Sequence, residues 1–335
     1  MEKSISAAQN GELEVLKSLI SAQTGIEATG LHDMTILLLA ANNGHTECVQ
    51  LLIENNANVA AKDIFGRTSL HLAGAGGHTG CVQSLLSSRA DIECRDIYGQ
   101  TALLLACERG HAACARLLID AKANIEAKDK LKNTALMLAV YRGHIACAQL
   151  LIDSKAQVNA HDVYGYTALF FAAQGGHITC VQLLIEARAT GDVQNTDGRT
   201  ALMLAISKGH PVCAQLLIDA RADVSFIDVY DKSVLMLAVE SGHAACVRLI
   251  VDARADIEAS VYDGGTALML AASMGHTACL DVLVSAATTL HARGIAEILP
   301  PPRQASSEVS LFNPKLWMQH IKSFIFGVYS SIASR

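Results

Sequence analysis

Residues Asp96–Lys128 read DIYGQTALLLACERGHAACARLLIDAKANIEAK. Asp96-Ile97-Tyr98-Gly99 is turn chemistry. Thr101 stands where an N-cap belongs, ahead of a first short helix over Ala102–Arg109 whose Leu103, Leu104, Ala106 and Cys107 fall at helical spacing. Gly110 suits a left-handed helix end. A second helix follows from about Ala112 to Ala121, with Cys114, Leu117 and Leu118 on its apolar face. Residues 123–127 then lead, extended, to the next turn. Neither helix reaches the roughly 12–15 residues that an isolated helix needs, so adjacent units must supply the burial.

The same pattern recurs on both sides at a step of 33 residues. Gly-His stands at 44–45, 77–78, 110–111, 143–144, 176–177, 209–210, 242–243 and 275–276. Three residues after each His comes a Cys, at 48, 81, 114, 147, 180, 213, 246 and 279. Nine residues before each Gly is a hydroxyl: Thr35, Thr68, Thr101, Thr134, Thr167, Thr200, Ser233 and Thr266. Units of 33 counted from residue 30 give eight copies without insertion, ending at 293. Residues 1–29 are in register too, with Gly11 and Val15 at the Gly and Cys positions and Glu12 for His, which reads as a degenerate capping repeat. Fixed periodicity of this kind marks an array of stacked supersecondary units.

These motifs resemble the ankyrin repeat. The resemblance implies an all-α solenoid, each unit a β-turn plus a helix-turn-helix, working as a non-enzymatic protein-interaction scaffold or adaptor. The Thr-Ala-Leu-Met-Leu-Ala ladder is also similar to that of ankyrin-only proteins in some protist parasites. Two departures stand out. The family's Thr-Pro-Leu-His has lost its Pro in every copy and keeps His only at His71; elsewhere Leu38, Leu104, Met137, Phe170, Met203, Met236 and Met269 occupy the place. An inter-repeat hydrogen bond should there give way to apolar packing. The Gly usual after the second helix is replaced by Asn56, Arg89, Lys122, Lys155, Arg188, Arg221 and Arg254, which means either tolerated strain or a different helix end.

Composition narrows the functional classes. At 335 residues the chain exceeds the roughly 250–300 that one core sustains. It is 51% hydrophobic but only 4% aromatic, which favours small side chains holding elements close together. A net charge of −6 offers no basic excess for phosphates, so nucleic acid is not an expected partner. Neither a signal sequence at the N-terminus nor a membrane span in the body is recognisable. Equivalent Cys in stacked helices would lie about 8–10 Å apart, too far for disulfides. Reduced thiols imply the cytoplasm. Cys94 and Cys107 fall outside the ladder, with no partner in view.

No catalytic constellation emerges, and no cofactor is expected. His-x-x-Cys supplies two potential zinc ligands per unit but no third, so packing is the expected role and no metal site is assigned. Gly74-Ala75-Gly76-Gly77 lacks the Gly-Lys-Ser/Thr of a phosphate loop. The recurring Asp63, Asp96, Asp129, Asp162 and Asp228 mark turns rather than acid–base pairs.

The resemblance places partner contacts on a concave surface of turn tips and first-helix ends, where the repeat stops repeating. The candidates are Phe65, Arg67, Tyr98, Arg109, Tyr141, Arg142, Tyr164, Tyr166, Arg199 and Tyr230. Aromatics and Arg are the usual interface anchors. Tyr141, Arg142, Tyr164 and Tyr166 fall in adjacent units and suggest one central patch. A monomer binding other proteins is expected.

After the repeats, residues 294–310 form a Pro-containing linker and 311–335 an aromatic segment. Trp317, Ile321, Phe324, Val328 and Ile332 share one helical face. Three roles stay open: capping the last repeat, lying in a membrane interface as the tether of a peripheral scaffold, or docking into a partner's groove. A regulatory subunit that blocks an enzyme is a further alternative.

Overall fold

The computed structural model describes residues 2–22, 26–259 and 265–298, with 290–298 by backbone alone. The regular elements among the described residues are α-helices, joined by turns and loops, with one short 3-10 turn at Leu31–Asp33 and three isolated bridges, such as His161 with Thr167. The described residues divide into two compact units, one within 1–196 with 219–221, the other of 197–218 with the described residues from 222 to 298. Helices come in antiparallel pairs. In the first unit the pairs are α1 (Glu2–Asn10) and α2 (Leu13–Ser21), α3 (Ile36–Asn42) and α4 (Thr46–Glu54), α5 (Ser69–Gly76) and α6 (Thr79–Ser87). They continue with α7 (Ala102–Glu108) and α8 (Ala112–Asp120), α9 (Ala135–Tyr141) and α10 (Ile145–Asp153), α11 (Ala168–Gly175) and α12 (Ile178–Glu186). The second unit holds α13 (Ala201–Ser207) and α14 (Pro211–Asp219), α15 (Val234–Glu240) and α16 (Ala244–Asp252), α17 (Ala267–Met274) and α18 (Thr277–Ile298).

Burial divides the two helices of each pair. Every residue of α7 from Ala102 to Cys107 is buried, because α7 is packed on both sides by first helices of neighbouring pairs, α5 and α9. In α8 only Cys114, Ala115 and Leu118 are buried, so the second helices turn their other face to solvent. The Cys ladder is therefore core. The hydroxyl ladder caps the first helices: Thr35, Thr101, Thr134, Thr200, Ser233 and Thr266 each accept the backbone N–H three residues on, at 3.3–3.4 Å.

The Gly of Gly-His has two duties. Gly110 holds φ +82°, and a Cβ there would fall 2.6 Å from the imidazole of His144 in the next pair. Gly44 against His78 and Gly77 against His111 repeat this arrangement. The His in turn reaches back 36 residues, as His45 Nε2 does to the Gln9 carbonyl at 2.9 Å and His78 Nε2 to the Asn42 carbonyl at 3.0 Å.

The basic residues that replace the family Gly occupy left-handed backbone, φ 61–70° from Arg89 to Arg254, so of the two alternatives strain is the one realised. The helix ends as a Gly would end it. Lys122 N–H donates to the Ile119 carbonyl and Ala123 N–H to the Leu118 carbonyl, both at 2.9 Å, a Schellman closure that recurs at Asn56, Arg89, Lys155, Arg188 and Arg254.

Cys107 is a correction. It is buried in α7 and interacts electrostatically with Cys147 of α10, which together with burial pushes its thiol well above the ordinary range, so its position outside the ladder does not leave it without a neighbour. The last part of the expected linker and the aromatic segment, with Trp317, Ile321, Phe324 and Val328, lie outside the described residues.

Candidate functional site

Five of the turn tips are each built by one carboxylate. The buried Asp96 accepts the backbone N–H groups of Tyr98 and Gln100 through Oδ1, at 2.9 and 2.8 Å, and Asp63, Asp129, Asp162 and Asp228 do the same in their turns. Adjacent tips are then stitched by backbone bonds: Ile97 N–H to the Phe65 carbonyl, Lys130 N–H to that of Tyr98, Val163 N–H to that of Leu131. These bonds hold the side chains outward. Tyr98, Tyr164 and Tyr230 are 57%, 55% and 63% exposed, and Tyr141 at the end of α9 is 50% exposed.

In the first unit the expected central patch is assembled in part. Tyr141 packs edge-on against Phe171 with ring centroids 5.6 Å apart. Phe171 stacks on Tyr166 at 5.6 Å, and Tyr166 meets Phe170 edge-on at 5.5 Å. The Arg142 guanidinium lies 5.4 Å from the Tyr141 ring centre and 3.4 Å from Glu108, which also accepts from Gln100 Nε2. Tyr164 stands apart at its tip; among the described residues no ring pairs with it. Phe171 joins the cluster yet escaped sequence reasoning. Its signal is a Phe where the repeat has Leu39, Leu72, Leu105 and Leu138. Beneath it the buried Thr167 hydroxyl makes no hydrogen bond and caps nothing, unlike its counterparts.

These pairs, turns and straps are repeated with one geometry, and the family model described as ankyrin repeats matches residues 5–96, 75–162, 155–228 and 222–293. The chain belongs to the ankyrin-repeat family. Among solved structures, the human ASB11 ankyrin repeat domain is similar, with a TM-score of 0.61 and 27% identity over 65% of this chain and 96% of that one. A comparison with curated proteins found no match.

The other candidates on the ankyrin units divide by what holds them. Arg67 is bound to the buried carboxylate of Asp63 at 2.7 Å and lies over Phe65 at 4.9 Å, so it braces its own turn. Arg199 reaches Asp228 of the following turn at 3.1 Å. Arg109, at the end of its first helix, is exposed. Burial pushes the Cys114 and Cys246 thiols up to about 11, which keeps them protonated and poor as nucleophiles or metal ligands. His45, His78 and His177 spend Nε2 on backbone carbonyls, while the Cys three residues on points into the core. In these three units the two residues of His-x-x-Cys thus serve different contacts.

Proposed function

We propose that this ankyrin-repeat protein is a non-catalytic scaffold or adaptor that binds other proteins through its turn tips and first-helix ends. Ankyrin repeats are in general protein-interaction modules. The observation that carries the reading is the row of half-exposed tyrosines beside the Tyr141–Phe171–Tyr166 cluster. Large rings are held outward there by backbone bonds at low conformational cost, as interface anchors are. None of its ten cysteines is in a disulfide, which fits a reducing compartment, and we place it in the cytoplasm. None of the described helices is long and apolar enough to cross a membrane.

The test is the double variant Tyr141→Ala with Tyr164→Ala. Both side chains are half-exposed, so its circular dichroism should match the parent, with melting lowered only by the loss of the Tyr141–Phe171 contact, about 0.5–1.5 kcal/mol. Affinity capture should lose the main partners, and recovery of the same proteins by the variant would sink the proposal.

A further inference from the structure

The last unit differs from the others in what covers it. Leu38, His71, Leu104, Met137, Phe170, Met203 and Met236 share one position of the first helix, and each is 2% exposed or less. Met269 at that position is 61% exposed, and Met274, at the end of the same helix, 46%. Gly242 lies against the His276 imidazole, whereas nothing stands within 4 Å of a Cβ built on Gly275. The final helix pair thus presents an open apolar face at a position that is buried in every earlier first helix.

We propose that residues 311–335 of the same chain dock on this face, over Met269 and Met274. Their stripe of Trp317, Ile321, Phe324, Val328 and Ile332 has the helical spacing that an apolar end face accepts. The reach also suffices. Helix α18 has 22 residues where α16 has nine, an excess worth about 20 Å at 1.5 Å per residue. Residues 299–310 can span about 40 Å extended, enough to double back along that overhang. A tethered segment meets the face at an effective concentration in the millimolar range, which a second copy at micromolar concentration does not match.

Photo-cross-linking of the full-length chain decides between the occupants. With p-benzoylphenylalanine in place of Met269, irradiation at low micromolar concentration should give a monomer-sized product. Trypsin should release position 269 joined to residues 316–322 or 323–335. In the Trp317→Ala, Phe324→Ala background most of that product should vanish, and the parent should melt several degrees above this variant. A dimer-sized product would assign the face to a second copy. No product, with the chain floating on phosphatidylserine-containing vesicles, would assign the segment to lipid. Either result, or no product and no flotation, overturns the proposal.

Discussion

At the scale of single residues, the costliest choices lie at the ends of the second helices. A left-handed backbone costs an L-residue about 1–2 kcal/mol, yet Arg89, Lys122, Lys155, Arg188, Arg221 and Arg254 all hold one. Around Lys122 two backbone hydrogen bonds and the burial of Ala123 offset that cost. A basic side chain at a helix C-terminus adds a favourable interaction with the macrodipole. Lys122→Gly removes the strain but gives up the dipole interaction and loosens the unfolded chain. The balance should raise the free energy of urea unfolding by about 0.5–1 kcal/mol, because the relieved strain exceeds the other two terms. That Gly had been replaced is plain from the residues alone. The left-handed geometry is not, because it depends on the closing bonds to Leu118 and Ile119, which only the coordinates supply.

At the scale of elements, α5 shows how one retained family residue works. His71 Nδ1 accepts the Thr68 backbone N–H at 3.2 Å, and Nε2 donates to the Gln100 carbonyl at 3.1 Å. Burial holds its pKa below the ordinary 6.5, with Lys62 lowering it slightly further and the Gln100 bond and Asp96 acting the other way. The sign follows from linkage. As pH falls through 6.5 the unfolded chain takes up the proton before the folded one, so the contribution of neutral His71 is present above that pH and lost below it. His71→Leu fits a position where Leu38 and Leu104 are already buried. It should therefore change stability at pH 7.5 by no more than about 1 kcal/mol, the scale of one net hydrogen bond. Between pH 7.5 and 5.5 the variant's urea midpoint should fall less than the parent's. The capping Thr ladder was legible in the sequence. That Thr167 caps nothing was not, since it accompanies the ring packing of Phe170 and Phe171 on Tyr166.

At the scale of the whole molecule, the helix pairs within each compact unit depend on their immediate neighbours. Stability then sums local terms and nearest-neighbour interfaces. Deleting residues 129–161, one full period, joins Lys128 to Asp162 with every Gly-His and tip register kept. The shortened chain should keep its helical signal per residue, while its urea m-value falls with the surface no longer buried. Collapse of helicity in circular dichroism would show that the interfaces are not interchangeable. The same deletion removes Tyr141 and Arg142, so binding through the aromatic cluster should go with it.

Period, turn chemistry and helix caps are local properties, and the sequence by itself determined them: the 33-residue unit, the all-helical architecture and the Asp-built tips all follow from residue type and spacing. Only the tertiary structure decided which side chains meet between neighbouring pairs. It put Phe171 between Tyr141 and Tyr166, brought Cys107 and Cys147 into interaction, set Gly110 under His144, and left Met269 open. Apart from the Phe171–Tyr166 stack, those contacts join residues about 30–40 positions apart, and their distances depend on how one pair seats on the next. Spacing along the chain does not encode that seating.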